Sequence, residues 1–218
     1  MTGDAELPAV LAGLGAATLG ECGARAMPPR IRPAWSGASL AAPAYPVRCT
    51  PGDNLAVHVA VTRAPAGSVL VVDVGDVSDR GYWGEVLTTG AIARGIGGLV
   101  IDGGVRDVAA LEALEFPVFS RTVALRGAAK VARGSVGVPV DVAGVPVAPG
   151  DWVVGDVDGV VVVPGDRLAD VIDAGRARAS AEDGYFAALR GGATTVEILG
   201  LDASLVEDGG PPDRPAVG

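Results

Sequence analysis

Between residues 69 and 119, three short apolar runs alternate with two stretches of helical spacing, and few folds accommodate that order. Val69-Leu70-Val71-Val72-Asp73-Val74 predicts a buried strand. A loop from Gly75 to Gly84 follows, then a helix from Glu85 to Arg94 that turns Val86, Leu87, Ala91 and Ile92 inward. After Gly95-Ile96-Gly97-Gly98, the run Leu99-Val100-Ile101 predicts a second strand, Asp102 to Arg106 a tight loop, and Asp107 to about Leu114 a second helix. Pro117-Val118-Phe119 predicts the third strand. This βαβαβ order makes a parallel sheet, whose ligands lie beyond the carboxyl ends of its strands.

The flanks are less regular. Leu7, Val10, Leu11 and Leu14 recur at helical steps, predicting a helix over 7–27 that Pro28 and Pro29 end. Leu55 to Thr62 alternates with period two, so a strand is expected there, with Val57, Val59 and Val61 on one face and His58 and Ala60 on the other. In the last third, Gly137 to Val140, Val145 to Val147, Trp152 to Val154 and Val160 to Val163 are short apolar runs between turn signals. Asp156-Val157-Asp158-Gly159 has the form of a hairpin turn. Pro-Gly-Asp at 51–53, 149–151 and 164–166 is turn chemistry beside strands. A helix over 167–189 follows, and the Pro-rich end from Glu207 to Gly218 is expected to be a flexible polar tail. The chain is therefore expected to be one α/β domain over 1–206, a parallel half joined to a β-rich half.

Composition narrows the chemistry. Seventeen Lys and Arg against 26 Asp and Glu give a formal charge of −9, which argues against a nucleic-acid partner. His58 is the only histidine and Lys130 the only lysine, so a His-rich zinc site is excluded and a Schiff-base mechanism has one candidate. Cys22 and Cys49 form no CxxC pair and are expected to be free thiols. No uncharged stretch is long enough to span a bilayer, and Asp4 and Glu6 precede the first apolar run where a signal peptide would be basic. A cytoplasmic location without membrane contact is expected.

Asp102, Arg106 and Asp107 follow the second strand of the parallel unit, on the side where ligands bind. Arg106 can hold a carboxylate through two parallel hydrogen bonds. Asp107 can take one position of an octahedral Mg²⁺ that keeps most of its waters. Upstream, Gly84-Glu85-Val86-Leu87 starts a helix whose first amides favour anions. Together these would hold a 2-oxo acid; the alternative is that Asp107 only caps its helix while Arg106 pairs with Asp102. His58 is expected on a strand face, Lys130 as a surface or loop charge, and Arg121 in a structural ion pair, with a place bordering the pocket as the alternative.

Gly84-Glu85-Val86-Leu87, then Gly95 to Asp107, Phe116-Pro117-Val118-Phe119, Gly137-Val138-Pro139-Val140, and Pro149-Gly150-Asp151 running on to Gly155 to Pro164, resemble as an ordered set the signature of the RraA-like family. That family holds 4-hydroxy-4-methyl-2-oxoglutarate/4-carboxy-4-hydroxy-2-oxoadipate aldolases and ribonuclease E regulators. The resemblance implies a β/β/α sandwich similar to swivelling phosphohistidine domains, assembled as a trimer or a dimer of trimers. It implies that Arg106 grips pyruvate, that Asp107 binds a divalent cation, Mg or Mn, and that Gly84, Glu85, Val86 and Leu87 form the substrate loop. It further implies an acid from a neighbouring subunit near the metal waters, for which Glu182 or Asp183 is the match here. The activity implied is a metal-dependent retro-aldol cleavage that releases pyruvate, with oxaloacetate decarboxylation as a side reaction; the base expected for it here is a metal-bound water relayed by Glu85 or a neighbouring carboxylate. Two alternatives within the resemblance are a non-catalytic regulator of a ribonuclease E-type partner and a relative acting on another 2-oxo acid.

Overall fold

The computed structural model describes residues 6–207; the expected tail lies, from residue 208 on, outside the described residues. The chain divides into two compact units, Met1–Arg176 and Ala177–Gly218. The first contains, in order, α1 (Leu7–Glu21), β1 (Arg25–Ala26), β2 (Arg32–Pro33), β3 (Leu40–Arg48) and α2 (Leu55–Arg63). Next come β4 (Val69–Asp73), β5 (Gly81–Trp83), α3 (Glu85–Ile92), β6 (Gly98–Val105), α4 (Val108–Ala113) and β7 (Val118–Val123). The β-rich half holds β8 (Ser135–Val136), β9 (Val140–Val142), β10 (Val145–Val147), β11 (Trp152–Gly155) and β12 (Val160–Val163), before α5 (Leu168–Arg190). The second unit takes up the end of α5 and contains α6 (Thr195–Leu199).

Ten strands form one mixed sheet in the order β1-β12-β11-β3-β4-β6-β7-β2, with β5 beside β6 and β8 beside β3. β3, β4, β6 and β7 run parallel, as the βαβαβ reading requires, and α2 adds one more crossover ahead of it. Val69–Val72 of β4 and Leu99–Ile101 of β6 are unbroken apolar runs because both faces are covered. Leu70, Val72, Leu99 and Ile101 pack with Val57, Val61, Leu87, Ala91 and Leu111 of the helices. Val69, Val71, Val100 and Phe119 pack with Val142, Val147, Val153 and Val162 of the β-rich half. A third cluster joins Leu11 and Leu19 of α1 to Val154, Val161 and Val163.

Five expectations need correction. Residues 55–63 are a helix, not a strand. The buried positions are Ala56, Val57, Ala60 and Val61, an i, i+1, i+4, i+5 stripe, while Val59 is half-buried; Asp53 Oδ1 accepts the Leu55 amide at 2.8 Å and starts the turn. The stretch 102–105 is not a loop but the continuation of β6, buried throughout. Gly104 makes this possible, because any Cβ there would press on the Arg80 carbonyl and the Ala124 methyl. The opening helix stops at Glu21 and is broken at Gly15, whose φ of 77° and ψ of 161° are not helical. The expected loop 75–84 contains β5, and the run at 137–140 becomes a strand only from Val140.

Candidate active site

β6 delivers Arg106 and Asp107 to the carboxyl end of the sheet, where the Arg106 amide donates to the Trp83 carbonyl at 2.9 Å and ties this corner to β5. Asp107 has φ 57° and ψ 36°, the left-handed region that few non-glycine residues occupy. It stands at the N-cap of α4 but makes no side-chain cap there. Its Oδ2 instead accepts the Glu85 amide at 3.1 Å, so it caps the neighbouring helix α3. Gly84 between them has no room for a side chain: a Cβ would collide with Asp107 Oδ2 and lie 3.1 Å from Arg106 Cγ. The Arg106 Nε stands 3.8 Å from Asp107 Oδ2, both side chains being partly open to solvent. With the Glu85 amide taken, the donors left at the start of α3 are the amides of Val86 and Leu87.

A cavity of about 250 Å³ gathers Gly84, Val86, Leu87, Arg106 and Asp107, together with Asn54 and His58 from the α2 end and Lys130 from the loop after β7. Five sequence-predicted residues thus meet in one cavity. Glu85 is exposed and does not line it. Glu182 and Asp183 lie on α5 in the second unit, where Glu182 Oε1 pairs with Arg178 Nε at 2.9 Å. The alternative pairing of Arg106 with Asp102 is not found. Asp102 is buried and held by Arg30 through two hydrogen bonds of 3.0 and 2.9 Å, with Arg121 Nη1 at 3.8 Å. Arg121 is therefore in the expected ion pair, outside the cavity lining.

Sequence reasoning missed what α2 contributes. A strand would have turned His58 onto a sheet face, whereas the helix brings Asn54 and His58 to the same cavity one turn apart. The available signal was Asp53-Asn54 before an apolar run, a helix-start pattern as much as a turn. Lys130 is a loop charge, as expected, but one that lines the cavity.

Hydrogen bonds hold these groups in orientation. The Asn54 Nδ2 donates to the Tyr82 carbonyl at 2.8 Å, which leaves its Oδ1 buried and without a partner. The Tyr82 hydroxyl accepts the Gly52 amide at 2.8 Å and donates to the Val77 carbonyl. Trp83 Nε1 donates to Thr88 Oγ1 at 2.6 Å, and that hydroxyl donates to the Gly84 carbonyl at 3.1 Å. Burial, then the nearby Lys130 charge, hold the His58 imidazole below its ordinary pKa, with Asp53 pulling weakly the other way. His58 Nε2 is buried and unpartnered. Burial pushes the Cys49 thiol up to about 12, which leaves it inert as a nucleophile.

Among the described residues no three His, Cys, Asp or Glu side chains converge on one point. Asp107 alone offers a carboxylate in the cavity lining, with one oxygen engaged by Glu85. That donor set fits a hard, hydrated divalent cation bound through one carboxylate and completed by water and substrate oxygens, and does not fit zinc.

The family model described as RraA-like, aldolase/RraA, matches residues 7–162. The chain belongs to this family. A Halalkalibacterium halodurans relative named "Putative 4-hydroxy-4-methyl-2-oxoglutarate aldolase" is 38% identical over 126 residues, 58% of this chain and 60% of that protein, so the match spans under two thirds of the relative. An uncharacterized protein of Pseudomonas syringae superposes with a TM-score of 0.80 at 30% identity, covering 91% of this chain and 94% of that one. The RNA-processing inhibitor RraA of Thermus thermophilis superposes with a TM-score of 0.59 at 30% identity, over 65% and 85% of the two chains. The mixed α/β fold with a curled mixed sheet is shared with both of these structures.

Proposed function

We propose that this family member is a divalent-metal-dependent, class II aldolase. Its substrate would be 4-hydroxy-4-methyl-2-oxoglutarate or 4-carboxy-4-hydroxy-2-oxoadipate, cleaved to pyruvate and a second 2-oxo acid, with oxaloacetate decarboxylation as a side activity. The observation that carries this reading is the meeting of Arg106, Asp107 and the start of α3 in one cavity that also holds Lys130. Arg106 binds the carboxylate of the pyruvyl end, aided by the amides of Val86 and Leu87. Lys130 faces the remaining carboxylate as a point charge. Asp107 would hold a Mg²⁺ or Mn²⁺, which would supply Lewis-acid chemistry at the 2-oxo group.

The proton on the C4 hydroxyl needs an acceptor. Glu85 lies outside the lining, so a role for it runs through water; His58, whose Nε2 has no partner, is the one imidazole among the lining residues and the candidate base there. In an assembled trimer or dimer of trimers, Glu182 or Asp183 of a second copy would supply the additional acid near the metal waters. The RraA neighbour supports a second reading, a non-catalytic regulator of a ribonuclease E-type partner.

Pyruvate release from 4-hydroxy-4-methyl-2-oxoglutarate and from oxaloacetate, with Mg²⁺, Mn²⁺ or EDTA, separates these. Metal-dependent cleavage that Arg106→Ala and Asp107→Ala both abolish supports the aldolase. Turnover of neither substrate by the wild-type chain favours the regulator.

A further inference from the structure

The first Pro-Gly-Asp turn does more than reverse the chain. Asp53 is 4% exposed, and its carboxylate serves two segments far apart in sequence. Oδ1 accepts the Leu55 amide at 2.8 Å, at the start of the helix that carries Asn54 and His58 to the cavity. Oδ2 accepts two successive amides of the loop after β7, Val131 at 2.6 Å and Ala132 at 3.0 Å. The backbone repeats the connection, Asn54 N donating to Ala129 O at 2.8 Å and Ala129 N to Gly52 O at 2.9 Å.

Lys130 sits between these anchors, with Ala129 fixed on one side and Val131 on the other. Further along, the loop is held at Arg126 by the Gly81 amide at 2.8 Å, at Gly127 by Arg80 Nη1 at 3.1 Å and at Arg133 by Thr50 Oγ1 at 2.6 Å, none of them at Lys130 itself. The loop belongs to no helix or strand, Val131 is 87% exposed, and the Lys130 ammonium has one long hydrogen bond, 3.5 Å to the Ala128 carbonyl. A flexible four-carbon stem on an unanchored loop would spread its charge over a wide volume. Two charge-assisted bonds from a buried carboxylate remove that freedom where it matters, at the Lys130 backbone.

We propose that Asp53 is a positioning residue, whose carboxylate sets Lys130 into the cavity and joins it in register to Asn54 and His58. This rests on reading the cavity as a 2-oxo acid site, with Lys130 on the carboxylate distal to the pyruvyl end. Asp53 touches no substrate; it acts through Lys130.

The test compares Asp53→Asn with wild type in the presence of Mg²⁺, using oxaloacetate as substrate. An Asn of the same size keeps one acceptor but points an NH₂ at amides that have only donors to offer. Asp53→Ser, which keeps a short acceptor for Leu55 and withdraws from Val131 and Ala132, serves if the Asn variant does not fold. The expected result is a KM raised about tenfold or more with kcat within about threefold, the signature of lost binding without lost chemistry. In a Lys130→Ala background the same substitution is expected to change KM no further, because the two act as one unit. Undiminished effect in that background, or unchanged KM in the single variant, would overturn the proposal in favour of a purely structural Asp53.

A second readout is independent of turnover. Lys130 is the only lysine, so reductive methylation with ¹³C-formaldehyde gives one side-chain signal, separate from that of the terminal amine. That signal is expected to broaden less and move toward its free value in Asp53→Asn, and the Val131 and Ala132 amides to exchange faster. An unchanged Lys130 signal with unchanged exchange refutes the positioning role. If wild type turns over nothing but the signal responds, the cavity reading has failed and the positioning of Lys130 stands.

Discussion

At the scale of single residues, the tightest constraint is the space between Asp107 and the start of α3. Gly84 has extended backbone torsions that any residue can adopt, so its requirement is steric alone. Gly84→Ala is expected to push the Asp107 carboxylate off the Glu85 amide and lower pyruvate-releasing turnover by about a hundredfold or more, since a displacement of about 1 Å at a reacting centre has that scale. Circular dichroism and an unfolding midpoint within a few degrees of wild type, by about the usual spread of surface changes, would place the loss in the site and not in the fold. His58 gives a second prediction with a definite sign. Its imidazole has a lower pKa folded than unfolded, because burial and Lys130 disfavour its charged form. Below about pH 6.5 the unfolded chain therefore binds the proton more readily, and stability is lost as pH falls from there through the folded pKa. Urea midpoints measured from pH 8 to 5 should decline in wild type, and His58→Gln should flatten that limb. Arg106 and Asp107 were legible because they follow a strand with an unmistakable pattern, and Gly84 because it stands at the start of a stretch with helical spacing. His58, Asn54 and Lys130 were not, because their meeting depends on a helix and a loop that approach only in three dimensions.

At the scale of elements, the sheet was legible where burial on both faces made whole runs apolar. β4, β10, β11 and β12 fall within a residue or two of their sequence-based bounds. α2 escaped because Val57, Val59 and Val61 carry strand-like alternation, while the stripe that decides the matter is made by small Ala56 and Ala60. Tertiary packing outweighed the β-branched preference there. The break in α1 was equally silent, since Gly15 in an Ala- and Leu-rich run carries little warning. It has a purpose visible only in the fold. The second half of α1 starts at Ala16, whose amide donates to Asp156 Oδ2 at 2.7 Å, while Asp156 Oδ1 accepts the Asp158 amide at 2.9 Å inside the β11–β12 hairpin turn. One aspartate therefore caps a helix and braces a hairpin from 140 residues away. Asp156→Ala is expected to lower unfolding free energy by about 1 to 2 kcal/mol, the range for losing an N-cap. The urea midpoint should fall with an unchanged m-value and unchanged KM, since neither residue lines the cavity.

At the scale of the whole molecule, the exposed apolar residues are unevenly placed. In the second unit Tyr185, Phe186, Leu199, Leu201, Leu205 and Val206 are all exposed, and α6 buries nothing. Helices this short, with no buried face, are marginal in water on propensity alone. The capping box of Thr194 and Glu197 closes the start of α6 but supplies no core. The trimer or dimer of trimers proposed above would cover these side chains and supply the core that the unit lacks by itself. Sedimentation velocity is expected to give the mass of three or six chains, and Leu199→Glu with Leu205→Glu to shift it toward one. The same pair should leave the unfolding of the first unit's three apolar clusters intact, because none of them includes a residue beyond Ile172. Amide exchange supplies the mechanism. Slow exchange in α6 at concentrations where the assembly is intact, and fast exchange on dilution below its dissociation constant, would tie the order of this unit to association. Slow exchange in a chain that sediments as a monomer would show instead that the unit is held within its own chain.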